Sequence, residues 1–246
     1  MLRVYLAGRV EVELNGKAVF DERDMRGKQS RAAFAYLALQ RDRPVVKDEL
    51  AEALWPGEMP PAWESALSAL LSRLRSLLPE GSTISGGAGL HQLHLPADTW
   101  VDLDAAALAL DQAEGELRAG LPRSAFGPGV VAYSICKRPF LPGHNAPWSE
   151  AIRERQQRHL LRALECLSRV WLATGEPNLA VESASEAIAL DPFRESSYCL
   201  LMQAHDLSGN RPEALRTYQR LRTVLSEELG AGPAPETQAL HQKLLG

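Results

Sequence analysis

The sequence predicts a mostly α-helical protein in two parts. The N-terminal part sets short helices among small antiparallel β-sheets, and the C-terminal part is built wholly from helices. Three observations carry this expectation. Residues 2–20 alternate apolar and polar side chains around an Asn15-Gly16 pair, the pattern of half-buried strands joined by a tight hairpin. Residues 30–78 hold three segments of helical apolar spacing, followed by a glycine-rich run and another alternating stretch. From Leu164 onward, residues recur with a 34-residue period, the repeat length of a tetratricopeptide helix pair.

In chain order, Leu2, Val4 and Leu6 share one face of a first strand. Val10, Val12 and Leu14 alternate with Glu11 and Glu13, whose side is expected to face water. Residues 18–20 return after the turn. Ala33, Phe34, Leu37 and Ala38 make one face of a helix over 30–40, which Arg41-Asp42-Arg43-Pro44 breaks. Leu50, Ala53 and Leu54 point a second helix inward over 47–55, and Pro56-Gly57 ends it. The third helix, expected over 61–78, takes Pro61 in its first turn, where a missing N–H costs nothing. Leu67, Leu70, Leu71, Leu74 and Leu78 fall on one face, and Ser65, Ser68, Ser72 and Ser76 with Ala69 fall opposite. Arg73 and Arg75 flank that small-residue stripe. Residues 81–89 read as a flexible run and His91 to Leu95 as a strand. Strands returning after a third helix are the layout of a winged helix-turn-helix.

In the second half, Leu164, Leu167, Trp171, Gly175, Ala180 and Ala187 are answered by Tyr198, Leu201, His205, Gly209, Ala214 and Leu221. Small residues stand where repeat helices pack closely. Residues 174–177 and 208–212 are turns, and Asp191-Pro192 separates the repeats. Two repeats are too few to stand alone, so residues 103–117 and 148–163 are expected to add helices, with a last one over 236–245. Arg153, Arg155, Arg158 and Arg162 would form a basic helix face, solvated and paired with Glu150 and Glu154 or turned toward an acidic partner or flanking DNA. The expected domain boundary divides residues 1–97 from 98–246.

Composition excludes several classes. No stretch nears the roughly 18 apolar residues of a membrane span, and the N-terminus lacks a signal-peptide layout, so a cytoplasmic setting is expected. Cys136, Cys166 and Cys199 are too few and too far apart for a disulfide framework or a zinc site. His91 and His94, three residues apart on a strand, point to opposite faces and not to one metal. Gly86-Gly87-Ala88-Gly89 lacks the Lys-Ser/Thr of a phosphate-binding loop, and nothing resembles a nucleophile elbow. No catalysis, metal or cofactor is expected. Net charge is −4, and residues 1–96 carry 12 basic and 12 acidic side chains. Bulk attraction to nucleic acid is therefore not the signal.

Ordered motifs add a resemblance. Gly27-Lys28-Gln29-Ser30-Arg31-Ala32, Arg43-Pro44-Val45-Val46, Leu50-Ala51-Glu52-Ala53-Leu54-Trp55-Pro56, Leu71-Ser72-Arg73-Leu74-Arg75 and Leu93-His94-Leu95-Pro96 follow one another. They resemble the OmpR/PhoB-type winged helix of the antibiotic-regulatory (SARP) activators. Arg138-Pro139-Phe140-Leu141-Pro142-Gly143, the run Trp148 to Arg155, Ala189-Leu190-Asp191-Pro192-Phe193-Arg194-Glu195 and Leu225-Ser226-Glu227-Glu228-Leu229-Gly230 resemble that family's bacterial transcriptional activation domain. The resemblance covers nearly the whole chain. It implies a DNA-binding transcriptional activator that places the helix at 61–78 on promoter repeats, works as a homodimer on DNA and recruits RNA polymerase. By motif match, Ser68, Ala69, Ser72, Arg73 and Arg75 are the helix positions facing DNA. Lys28, Arg31 and Lys47, near the starts of the first two helices, are candidate phosphate contacts. Two other readings stay open: an interaction scaffold whose winged helix binds DNA weakly or not at all, and a repeat domain that senses a small ligand.

Overall fold

The computed structural model describes residues 1–246. Its contacts divide into two compact units, one of residues 1–105 with 138–155, the other of residues 106–137 with 156–246. Packing thus cuts the chain at three points, where a sequence boundary near residue 97 makes one cut.

In the first unit, strands β1 (Leu2–Tyr5), β2 (Glu11–Leu14) and β3 (Lys17–Asp21) form an antiparallel meander. The Asn15-Gly16 turn has both residues at positive φ, 53° and 79°, as a type I′ hairpin requires. The register shifts between Val12 and Glu13, where the partner passes from Phe20 to Ala18, so Val19 is the extra residue of a bulge in β3. Glu11 is 6% exposed and pairs with Arg9, Glu13 accepts a hydrogen bond from the Tyr5 hydroxyl at 3.0 Å, and Leu14 is the exposed end. The glutamate side therefore does not simply face water. β7 (Trp100–Val101) adds to β1 in parallel, giving the order β3-β2-β1-β7. Two residues are too short for a periodic signal, so this strand is invisible in the sequence.

Helices α1 (Lys28–Leu39), α2 (Lys47–Leu54) and α3 (Trp63–Leu77) follow. α1 packs on both others, with Phe34, Leu37, Leu50, Leu67, Leu71 and Leu74 fully buried. Phe20 meets Phe34 edge-to-face at 5.4 Å and ties the meander to α1. α3 begins at Trp63, and Pro61 lies before it. The run 81–89 is largely strand, not loop. β5 (Thr83–Gly87) pairs with β6 (Leu90–His94) around an Ala88-Gly89 turn with both φ positive. β6 also pairs with β4 (Val45–Val46), giving the sheet β4-β6-β5.

Residues 138–155 complete this unit. Trp148 stacks edge-on with Tyr36 and Phe140 and donates its indole N–H to the Ala53 carbonyl at 2.9 Å. Arg153 donates to the carbonyls of Phe140, Leu141 and His144. It is a tether for that loop, not part of a basic face.

The second unit draws on α4 (Asp102–Arg118), α5 (Pro122–Cys136), α6 (Pro147–Thr174), α7 (Pro177–Leu190), α8 (Glu195–Leu207), α9 (Arg211–Leu229) and α10 (Pro235–Leu245). α7 packs on α8, α8 on α9, and α10 on both α8 and α9. Ala184, Tyr198, Leu201, Leu221 and Leu225 share one core, as the 34-residue period requires. The expected helix over 148–163 and the first repeat helix are one 28-residue helix, α6. α5 has no counterpart in the sequence reading, because Gly127, Pro128 and Gly129 break its propensity. Burial forms it nonetheless: a Cβ on Gly129 would lie 3.1 Å from Leu167, so glycine permits the close approach. No helix is long and apolar enough to cross a membrane.

Candidate nucleic-acid interface

The outward face of α3 is built by subtraction. Its four leucines at 67, 70, 71 and 74 bury one side, leaving Ser65, Ser68, Ala69, Ser72, Arg73, Arg75 and Ser76 exposed opposite. Three of the serines are partly engaged. Ser65 donates its hydroxyl proton to the carbonyl of Ala62, the cap of α3, at 2.9 Å, and Ser68 and Ser76 donate to carbonyls within the helix at 2.8 Å each. They keep acceptor capacity toward a ligand.

The cations named from the sequence fall into two groups. Arg31 pairs with Glu22 at 3.1 Å. Lys47 pairs with Glu64, in the first turn of α3, at 2.6 Å and lies over the Trp63 ring at 5.0 Å. Arg75 donates Nε–H to the Ile84 carbonyl at 2.8 Å, fastening α3 to β5. Its guanidinium also sits beside His91, whose pKa is lowered by burial first and by this positive neighbour second. These three are structural at least in part. Lys28 and Arg73 are exposed.

Arg73 joins a cation that the sequence did not single out, Arg26. With Arg26, Gln29, Ala69, Trp55 and Pro60 it lines a hollow of about 400 Å³ between the start of α1 and the outward face of α3. Gly27 caps α1 without a side-chain hydrogen bond, and no acidic residue stands in the first turn. Its unsatisfied N–H groups and the positive end of its dipole favour an anion. Arg26 and Arg73 thus share a hollow beside a helix start with the same preference. α2 is the contrary case, with Asp48 and Glu49 in its first turn. Arg26 lies just before α1, where periodicity says nothing; only the packing of α1 on α3 brings it beside Arg73.

The hairpin beside α3 carries no cation at its tip. Ser85 hydrogen-bonds His94 at 2.9 Å, and the Gly89 carbonyl accepts from the Lys47 backbone N–H at 2.8 Å, fixing the turn against the start of α2. His91 and His94 do not converge, and no cluster of potential metal ligands forms.

A family model for the bacterial transcriptional activator domain matches residues 101–245. The chain belongs to this family. Among its relatives, the regulatory protein AfsR of Streptomyces coelicolor is 33% identical over 217 residues, and the transcriptional regulatory protein EmbR of Mycobacterium tuberculosis is 29% identical over 242. Each alignment takes in 88% of this chain, but only 22% of AfsR and 57% of EmbR, so the chain spans a part of each. The solved structure of M. tuberculosis EmbR, in complex with a low-affinity phosphopeptide, superposes with a TM-score of 0.84 over 99% of this chain and 65% of that one, at 24% identity. That likeness shows the fold. The architecture is that of a SARP-type transcriptional activator, an N-terminal winged helix followed by the activation domain, and its relatives are transcriptional regulators.

Proposed function

We propose that this chain activates transcription by binding promoter DNA through α3 in the major groove, with residues 1–97 as the DNA-binding domain and residues 98–246 as the activation domain. The observation that carries the reading is the meeting of Arg26 and Arg73 in one hollow by the uncapped start of α1, beside the small-residue face of α3. Small side chains let the helix approach the groove floor, while guanidiniums hold phosphates on its edge. Ser68, Ala69 and Ser72 face the bases. Arg75 acts by fixing the hairpin to α3, and Lys47 and Arg31 reach DNA only by exchanging a carboxylate for a phosphate. With few free cations and a neutral domain, one protomer binds weakly. Two protomers on repeated half-sites supply the affinity, and the activation domain recruits RNA polymerase in the cytoplasm. The activity is regulatory and not enzymatic, and needs no metal or cofactor.

The test is an anisotropy titration of the chain against its own upstream DNA at two salt concentrations. Arg26→Ala with Arg73→Ala should weaken binding roughly 10-fold to 100-fold and flatten the salt slope by about two. Unchanged affinity and slope would place the interface elsewhere. The pairing of Lys47 with Glu64 and of Arg31 with Glu22 favours one alternative, a winged helix kept as an interaction scaffold. Absence of binding at low salt together with a stable protein complex would establish it.

A further inference from the structure

A groove in the second unit has the features of a peptide site. On α6, Arg162, Glu165, Cys166, Arg169 and Ala173 share one face and wall a hollow of about 670 Å³ with the end of α4 and Arg194. A second hollow of about 290 Å³ shares Ala173 and continues past Thr174 to the α4–α5 turn, where Arg123 stands. Together they follow α6 from residue 162 to 174, about 18 Å at a helical rise of 1.5 Å per residue. That length matches five or six residues of extended chain.

The groove's charges come in two kinds. Arg162 is held by Glu114 at 2.9 Å and Asp111 at 3.3 Å. Arg194 grips Glu165 at 2.8 and 3.0 Å, and Ser196 and Ser197 donate to the same carboxylate at 2.5 and 2.9 Å. Glu165 is buried, and these donors, led by Arg194, hold its pKa below the ordinary value despite burial. These pairs are the rigid frame. Arg118, Arg123 and Arg169 stand exposed along the rim, on a chain that is acidic overall. Between them the floor is apolar: Leu117 packs onto Cys166 and Val170. Burial pushes the Cys166 thiol up to about 11, so it contributes surface and not a nucleophile.

We propose that this groove binds an extended acidic segment of a partner protein, with carboxylates on Arg118, Arg123 and Arg169 and an apolar side chain over Leu117 and Cys166. Elongation favours a peptide over a compact phosphorylated ligand, and neither hollow is lined by an aromatic ring or glycine-rich loop to seat a base and its phosphates. This reading does not depend on DNA binding and is measured without DNA.

The experiment titrates the full chain against a fluorescein-labelled eight-residue peptide of alternating glutamate and leucine at low salt. Arg118→Glu with Arg169→Glu should weaken binding by about 30-fold. Arg155→Glu with Arg158→Glu, an equal charge change at exposed α6 positions outside the groove, should change it by less than about 3-fold. Arg118→Gln with Arg169→Gln, expected to keep the wild-type melting temperature, should show an intermediate loss. The proposal is overturned if the wild-type chain does not bind the peptide, if both glutamate pairs weaken it equally, or if ATP or pyrophosphate displaces the label at lower concentration than unlabelled peptide.

Discussion

Asp102, the first residue of α4, gives the sharpest test of how the first unit is held. Its carboxylate is 1% exposed and accepts the backbone N–H groups of Leu6 at 3.0 Å, Ala7 at 2.9 Å and Leu103 at 2.8 Å. One side chain therefore satisfies the start of α4 and the donors that follow β1. In Asp102→Ala those three buried donors lose their acceptor, at about 1–3 kcal/mol each. Relief of the carboxylate's own desolvation offsets part of this, leaving an expected loss of about 3 kcal/mol at pH 7. Burial raises the Asp102 pKa from 3.8 to about 6, against the pull of the three N–H groups. The folded chain thus binds a proton that the unfolded chain releases between those values. This contribution to stability is full below about pH 4 and is lost as pH rises through 6, amounting to about 2 kcal/mol at pH 4.5. The variant's deficit should therefore be about 5 kcal/mol at pH 4.5 and about 3 at pH 7. Urea unfolding followed by tryptophan fluorescence reads it, since four of the five tryptophans, all but Trp171, lie in the first unit. At a slope of about 2 kcal/mol per molar urea, the midpoint falls by about 1.5 M at pH 7. A deficit that grows from pH 4.5 to 7 would mean that the N–H groups outweigh burial, and would refute the reasoning.

Three further outcomes are expected. A Cβ at Gly86 would lie 2.9 Å from Arg75 Nη2 and 3.1 Å from His91 Nδ1; Gly86→Ala should displace the Arg75 side chain and weaken DNA binding by about 3-fold to 10-fold, with a melting shift under about 3 °C, and an intact affinity would show that this tie does not shape the interface. Glu64→Gln releases Lys47 and should strengthen low-salt DNA binding by a few-fold while steepening the salt slope by about one; a weaker complex would count against Lys47 facing DNA. Leu71→Ala leaves a cavity in the core of the three helices and should cost about 2–5 kcal/mol in chemical denaturation, whereas a cost under about 1 kcal/mol would mean that α3 is loosely packed.

The sequence displayed the periodic elements well because burial writes itself at intervals of two or 3.6 residues. α3 and the repeat helices α7 to α9 follow their apolar stripes, and the Asn15-Gly16 hairpin follows its turn chemistry. Elements fixed by distant partners were not legible. β7 pairs with a strand nearly a hundred residues away, and α5 forms against its local propensity because Gly129 lets Leu167 approach. At the candidate interface, sequence order singled out Lys28 and Arg73 but gave no means of separating them from Arg31 and Lys47, whose carboxylate partners lie outside their own helices.

By itself the amino-acid sequence determined the class of the protein: a small β-meander, three helices with a hairpin, then helical repeats, and membership in a regulator family through motifs in fixed order. Those features are local, and local spacing or turn chemistry suffices to specify them. Only the tertiary structure decided which cations remain available, that Arg26 stands beside Arg73, and that residues 138–155 seal the first unit through Trp148. Each of these is a contact between side chains far apart in sequence. It depends on how helices pack, and packing is a property of the assembled core that no single stretch of the chain contains.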